Sequence, residues 1–277
     1  MTAEAATAAP EGVRSSIRAV SGDEIAHYRQ HGWVVLERFF PPAILEGLLA
    51  RAKARMGAEP LTVSRADPSA NVPNEYDWYA RWDGCSHADA WIRGVGQSRE
   101  LATAAARLMG DRVRFYFDHF FVKVPVAQNG GKTPWHQDLP HHPVDRQGVL
   151  TIWVPLVDCT PEMGTLRFLS GSHRAGLLGR YLNRRDGVSL IDEHPSMLEE
   201  YELSPPLTLR AGDATVHDLA IVHYAPENTT TSPRWAYSTQ WLPVRTRYTG
   251  APNHRTEGLD LTIDAPFDHP RFPEIPT

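Results

Sequence analysis

The sequence predicts an all-β core, a sandwich or barrel, with a layer of helices packed against it. Three observations predict this. Residues 17–110 carry capped, amphipathic helical segments. From Val113 onward the texture changes to short runs of aromatic and β-branched residues, split by Gly and Pro. Helices first and many short strands afterwards place a helical layer on a β-sandwich or barrel. The chain of 277 residues, 42% hydrophobic and 22% charged, suffices for one large core.

Taken in order, residues 1–16 are small and polar and read as a loose tail before a single domain over 17–277. Ser21 and Glu24 form a capping-box pattern for a short helix that stops near Gly32. Trp33 to Leu36 reads as a strand too apolar to lie at an exposed edge. Pro41 and Pro42 open a second helix, with Ile44, Leu45, Leu48 and Leu49 as one apolar stripe ending before Gly57. From Glu59 to His87 the pattern is lost. Pro60, Pro68 and Pro73 punctuate the stretch, and Tyr76, Trp78, Tyr79 and Trp82 crowd its later part. It is expected to be a loop without strand or helix, either a cap on the core or a lid on a site. A helix from about Ser98 to Met109 ends at Gly110.

The core spans residues 111–245. Val113 to Val124 is a long strand, followed by Val149 to Leu156 and Thr165 to Leu169. Leu207 to Leu209, Ala214 to His217, Ile221 to Tyr224 and Trp235 to Leu242 complete the strands. Residues 246–277 are proline-rich and read as an extended C-terminal segment. No internal repeat, phosphate-cradling Gly loop or G-x-S-x-G elbow is present.

Composition narrows the function. A net charge of −5 argues against nucleic acid or an anionic membrane as partner. Two cysteines, Cys85 and Cys159, give neither a disulfide framework nor a cysteine metal site. The N-terminus lacks the pattern of a signal peptide, and no apolar run has the length of a membrane span. The expected compartment is the cytoplasm.

The chemistry gathers at Thr133-Pro134-Trp135-His136-Gln137-Asp138. Residues i and i+2 at a strand end point the same way, so His136 and Asp138 can converge. An imidazole and a carboxylate on one side form half of a 2-His-1-carboxylate site for a first-row metal. Among 13 histidines, His217 and His223 are the candidates for a third ligand. Arg234 decides for His223. A turn through Asn228 to Thr231 is expected to bring the next strand back antiparallel to Ile221–Tyr224, with Arg234 near the level of His223. His217 has no such partner and is expected to be a structural barrel histidine. Arg234 on an apolar strand is costly to bury without an anion, and guanidinium binds a carboxylate in bidentate fashion. A salt bridge to a local Asp or Glu is the other reading.

Trp135-His136-Gln137-Asp138, the block Glu162-Met163-Gly164-Thr165-Leu166-Arg167-Phe168-Leu169-Ser170-Gly171-Ser172-His173, then Gly212-Asp213, His223, Asn228 and Arg234 follow one another in order. Together they resemble the phytanoyl-CoA dioxygenase family of non-haem iron(II), 2-oxoglutarate-dependent oxygenases, over about residues 20–245. The resemblance implies a double-stranded β-helix core, the cupin-like jelly roll. It implies His136, Asp138 and His223 as ligands of Fe(II), and Arg234 as the group that binds the distal carboxylate of 2-oxoglutarate. Lys123 matches a frequent family feature, and Thr151 and Trp153 are placed to line the cosubstrate pocket. Ala225 departs from the family pattern, since some members carry a serine there that helps bind the cosubstrate. Related halogenases lack the carboxylate that Asp138 supplies, so its presence favours oxygen transfer.

The implied activity is a dioxygenase that uses O2 and 2-oxoglutarate to oxidise, most simply to hydroxylate, a C–H bond of a small organic molecule, releasing succinate and CO2. Secondary metabolism is the expected setting. Trp78, Tyr79, Trp82, His119, His141 and His142 are the expected substrate-side residues. Two other classes compete. A metal-dependent cupin-like isomerase or hydrolase would use the same triad without forming succinate, and a metal-free binding module would retain no metal.

Overall fold

The computed structural model describes residues 16–57, 79–128, 130–179 and 188–277, with the backbone alone at Tyr79. Helix α1 (Gly22–His31) starts on the expected capping box. The Glu24 amide donates to Ser21 Oγ at 3.1 Å, and the Ser21 amide donates to the Glu24 carboxylate at 2.7 Å. Gly32 ends it at φ 79°, and there a Cβ would lie 2.3 Å from the His173 ring, so the turn admits no side chain. The chain enters β1 (Trp33–Leu36) at once. Helix α2 (Pro42–Met56) has proline in its first turn and buries Ile44, Leu45, Leu48 and Ala52. Strand β2 (Tyr79–Asp83) and the short helices α3 (Cys85–Ala88) and α4 (Ala90–Gly96) lead to α5 (Arg99–Met109). Helix α5 is capped by Ser98 and stopped by Gly110, and it buries Leu101, Ala102, Ala104, Ala105 and Leu108. Three alanines on that face let its backbone approach the sheet closely.

The core follows as β3 (Val113–Lys123), β4 (Thr133–His136), β5 (Leu150–Pro155) and β6 (Arg167–Ser170). Short helices α6 (Leu190–Glu193) and α7 (Met197–Glu200) precede β7 (Glu202–Leu203). Strands β8 (Ala214–Asp218), β9 (His223–Ala225) and β10 (Arg234–Pro243) complete it. They form two antiparallel sheets, one in the order β1-β8-β5-β10-β3-β2 and the other β4-β9-β6-β7. From β3 to β6 and again from β8 to β10, consecutive strands alternate between the sheets. The result is the jelly-roll winding of a double-stranded β-helix, with helices on the outside of the larger sheet.

Alternation along each strand separates two faces of that sheet. Trp235 and Tyr237 of β10, with Ile152 and Val154 of β5, pack into the helical-layer core. Ala236 and Trp153 face inward, into a second cluster with Trp33, Phe168 and Ile221. Asp118 ties sheet to helices, because its carboxylate accepts from the Ser86 amide at the start of α3 and from the Tyr237 hydroxyl at 2.9 Å.

The structure corrects five readings of the sequence. The strand carrying Arg234 does not pair with the His223 strand. β10 lies between β3 and β5 in the larger sheet, and β9 lies in the smaller one. The later part of the aromatic stretch is not an irregular loop but β2, whose backbone is satisfied by antiparallel pairing to β3. β1 does lie at a sheet edge, yet all but Val35 of its side chains are buried. Residues Leu207 to Leu209 make one isolated bridge, Cys159 to Leu209, and no strand. The C-terminal segment is not extended coil. It folds back through turns, and Phe267 and Phe272 join a buried cluster with Tyr116 and Leu242. Among the described residues no helix is long and apolar enough to cross a membrane.

Trp82 is opposite Phe120 on β3, and the two rings stack at 5.6 Å within the helical-layer core, with Arg55 over the indole. It therefore faces away from the interior and caps the core. Trp82→Ala is expected to lower stability by about 2–4 kcal/mol, somewhat under the cost for a fully buried tryptophan. Thermal unfolding measures this. A normal melting temperature with impaired ligand binding would restore the lid.

Candidate metal centre

His136, the last residue of β4, pairs in register with His223, the first of β9, and their rings are 4.2 Å apart. Just after His136 the strand ends. Asp138 has helical backbone angles (φ −74°, ψ −36°) and opens a tight 3-10 turn, which swings its carboxylate back to 3.1 Å from His136 Nε2. Gln137 points elsewhere and fixes the turn, donating to the Gly176 and Ala220 carbonyls and accepting from the Leu178 amide. Ligand atoms of His136, Asp138 and His223 all lie within 4.8 Å of one another.

The donor set fits a metal ion by its tautomers. His136 Nδ1 lies 2.8 Å from the Pro134 carbonyl, and His223 Nδ1 lies 3.1 Å from the Ile221 carbonyl. A carbonyl only accepts, so each Nδ1 carries the hydrogen and each Nε2 keeps its lone pair. A lone pair and a carboxylate oxygen at 3.1 Å are two acceptors facing each other, an arrangement that a cation between them resolves. Burial pushes the His223 imidazole well below the usual range, and His136 adds to the shift, which favours the neutral form that ligates metals. Burial works to raise the Asp138 carboxyl, but the imidazoles gathered around it, His136, His217 and His223, outweigh that and hold it well below the carboxylate range.

His217, expected to be a structural barrel histidine without a partner comparable to Arg234, stands outside the ligand cluster yet has a partner in it. From β8 it reaches across the interior to place Nε2 3.7 Å from Asp138 Oδ2, and its ring is 4.9 Å from that of His223. The strand-pairing argument that preferred His223 was also mistaken. His223 is nonetheless the histidine grouped with His136 and Asp138, while His217 stands beside the carboxylate.

Next to this cluster are two buried cations. Arg234 at the start of β10 pairs in register with Lys123 at the end of β3. They are 6% and 1% exposed, and neither makes an ion pair among the described residues. The Lys123 ammonium donates to the Ala225 carbonyl at 3.1 Å and to Thr133 Oγ1 at 3.4 Å. Arg234 donates to the Gly164 carbonyl and lies 5.1 Å over Trp153, and its Nε has no partner. Burial lowers Arg234 to about 10, and burial with the neighbouring Arg234 charge pushes Lys123 well below the lysine range. An anion is what this pair lacks.

The surrounding motif residues build that corner. Gly164 has φ 75°, and a Cβ there would lie 2.2 Å from the Pro226 carbonyl, so only glycine lets its carbonyl reach Arg234. Asn228 donates to the Lys123 and Ser232 carbonyls and accepts from Thr230, closing the β9–β10 loop. Thr151 on β5 accepts from Gln240 at 3.4 Å and pairs in register with His217. Trp153 forms the wall under Arg234. His119 is buried on the inward face of β3 near Asp83, and His142 accepts from Arg255 at 2.9 Å. The carbonyl of His141 accepts from Asn253. Trp78 and the Tyr79 side chain lie outside the described residues, and Trp82 is on the far side of the sheet. Three residues escaped the reading of the sequence: Gln240, Asn253 and Arg255. Gln240 shares the inward face of β10 with Arg234 by even spacing, a signal the sequence does carry. Asn253 and Arg255 sit in an unpatterned proline-rich segment that offers none.

Fold and cluster together define a double-stranded β-helix protein with a His-x-Asp…His metal-binding set. The chain belongs to the phytanoyl-CoA dioxygenase family, whose model matches residues 28–236. It is 29% identical over 109 residues to a phytanoyl-CoA dioxygenase of Arabidopsis thaliana, a match that covers 39% of this chain and only 38% of that relative. It is 24% identical over 230 residues to the ectoine dioxygenase of Sphingopyxis alaskensis, covering 78% of this chain and 73% of the relative. Among solved structures, the non-heme α-ketoglutarate-dependent carbocyclase SnoK of nogalamycin biosynthesis superposes with a TM-score of 0.75 at 23% identity, over 92% of this chain and 96% of SnoK. The S. alaskensis enzyme EctD, solved with 2-oxoglutarate and 5-hydroxyectoine, gives 0.63 at 22% identity over 87% and 84%. At these identities the likenesses carry the fold.

The two histidines are expected to separate experimentally. His223→Ala should abolish stoichiometric iron binding. His217→Ala should weaken it by about 10- to 100-fold, as for loss of a partner that orients a ligand. Metal titration of anaerobic protein measures both, and the reverse order would exchange their roles.

Proposed function

We propose that this protein is an Fe(II)- and 2-oxoglutarate-dependent dioxygenase that oxidises a C–H bond of a small organic molecule, most simply by hydroxylation, releasing succinate and CO2. One observation carries the reading: a His136–Asp138–His223 cluster stands beside two buried cations, Arg234 and Lys123, that have no anionic partner among the described residues. A metal site alone fits an isomerase or hydrolase equally well. The uncompensated pair is what adds a dicarboxylate.

In this reading Fe(II), held by His136, Asp138 and His223, supplies the activation of dioxygen when bound. The protein's own residues bind, orient and exclude water. Arg234 grips the distal carboxylate of 2-oxoglutarate with the fork of its guanidinium, and Lys123 adds positive charge from the neighbouring strand. Trp153 walls the pocket. Thr133 stands in register with Ala225 and within reach of Lys123, so its hydroxyl takes over the role of the serine that some relatives carry at that position. Thr151, expected to line the cosubstrate pocket, stands instead beside His217 and Gln240, and in this reading it closes the interior toward the substrate. His119, His141 and His142 line the substrate side. The small-molecule class is supported by the relatives: ectoine dioxygenase, and SnoK of nogalamycin biosynthesis. SnoK also supports a setting in secondary metabolism.

The test is a calorimetric titration of 2-oxoglutarate into Fe(II)-loaded protein under argon, followed by succinate release in air. Arg234→Ala should weaken 2-oxoglutarate binding by about 2–5 kcal/mol, the range for truncating one member of a buried charge pair. Pyruvate, which has no distal carboxylate, should lose far less. Equal losses for the two acids, or no iron-dependent succinate, would overturn the proposal.

A further inference from the structure

Arg234 has a counterpart at the other end of the interior. Alternate residues of β10 share its inward face, so Gln240 faces the same space as Arg234, about 20 Å further along the strand. Gln240 donates to Thr151 and accepts from Arg255 Nη1 at 3.2 Å. The same Nη1 donates to His142 Nδ1 at 2.9 Å, and the guanidinium lies 3.8 Å over the Phe117 ring. His142 ends the short 3-10 turn that Asp138 opens, so this arginine is bonded to the turn that carries the carboxylate of the metal cluster.

Among the described residues every partner of Arg255 is neutral: an imidazole, an amide and two aromatic faces. Its Nε is buried without a hydrogen-bond partner, and no carboxylate among the described residues lies within ion-pair distance of it. The nearby acid, Asp83, is engaged by Arg81 at 3.3 Å and flanked by His119 and His254. A permanently charged, planar fork is thus held flat and left uncompensated. The segment does not need this cation for attachment. Asn253 already ties it to the His141 carbonyl, and Phe267 and Phe272 anchor it in a buried cluster.

We infer that Arg255 is the substrate anchor and that the substrate carries a carboxylate, gripped by this guanidinium at the end of the interior remote from Arg234. The inference rests on the reading of Arg234 as the cosubstrate end. Stacking on Phe117 and the bonds to Gln240 and His142 preorganise the fork, so little side-chain entropy is lost on binding. Arg234 and Arg255 then divide the labour. One binds the acid common to every turnover and the other selects the molecule to be oxidised.

The experiment uses protein loaded with Fe(II) and saturating 2-oxoglutarate under argon, so that the Arg234 end is filled. Benzoate and cyclohexanecarboxylate are compared with their primary amides by ligand-observed NMR titration. Wild type should bind the acids about 10- to 100-fold more tightly than the amides, the worth of hydrogen bonds to a charged partner. Arg255→Gln should bring that ratio close to one while leaving amide binding and 2-oxoglutarate affinity unchanged. Arg255→Lys should restore part of the preference. A wild-type ratio near one overturns the inference with no variant needed, and so does an unchanged ratio in Arg255→Gln. A loss of 2-oxoglutarate affinity in Arg255→Gln would assign this arginine to the cosubstrate instead. Failure of wild type to bind 2-oxoglutarate would sink the proposed function separately, because that affinity has its own titration, while the change in ratio on Arg255→Gln still reads the share of acid binding that this arginine holds.

Discussion

Two cations buried side by side, with no ion-pair partner among the described residues, are the constraint around which this molecule is arranged. Arg234 and Lys123 occupy one register position on neighbouring strands, so neither can move off without breaking the β3–β10 ladder. Taking each from water costs several kcal/mol, and their mutual repulsion adds to that. Such an arrangement persists only if the surrounding fold over-determines it. Here three devices do so. The Gly164 carbonyl holds the guanidinium, the Ala225 carbonyl holds the ammonium, and Asn228 clamps the loop between them. All three come from stretches that are irregular or at strand ends, and each is fixed by a hydrogen bond to backbone. The cost is carried by the scaffold, and on the proposed reading an incoming dicarboxylate would offset it.

The metal-binding half uses one local solution twice. His136 and His223 each direct Nδ1 at the carbonyl of the residue two positions earlier, Pro134 and Ile221 respectively. The bond is internal to each strand segment, so the tautomer is set before the two strands meet. Antiparallel pairing then brings the two Nε2 atoms to the same side. Asp138 needs a different device, because a third residue of an unbroken strand would carry its side chain past the histidines. Ending the strand at His136 and entering a tight turn brings it back. Gln137, buried and bonded to three backbone groups, is what makes that turn rigid. His217 completes the surround by standing against the outer oxygen of the carboxylate.

Much of this was readable from the residues, and where it was not the reasons are physical. Helix ends were clear because their signals are local. Ser21 with Glu24, Ser98, Gly32 and Gly110 act within four residues of themselves. The His-x-Asp pair was clear for the same reason. Sheet assignment was not, because which strand pairs with which is a property of the winding. The Arg234 strand follows the His223 strand by a short loop, the pattern of a hairpin, yet the jelly roll sends it into the opposite sheet. β2 was hidden because its neighbour β3 supplies the regularity. Tyr79 to Asp83 has no alternation of its own and is ordered by a distant partner, in a register that sets Tyr79 opposite Lys123 and Asp83 opposite His119. His217 was misjudged because its partner, Asp138, is distant in sequence and comes from the other sheet.

The interior has two ends built by different means, and that difference bears on what each can do. The Arg234 end is made from strand residues locked in register, with glycine and asparagine closing its corners. Its geometry leaves little room for variation, as the proposed site for an invariant cosubstrate would require. The opposite end is formed where a C-terminal segment without regular structure folds over the mouth and inserts Arg255 between Phe117, Gln240 and His142. Such segments can change in length and sequence without disturbing a ladder. A fold arranged in this way separates chemistry from choice. On the proposed reading the sheets fix the metal and the cosubstrate acid, while a stretch that no ladder constrains presents the cation for a substrate acid.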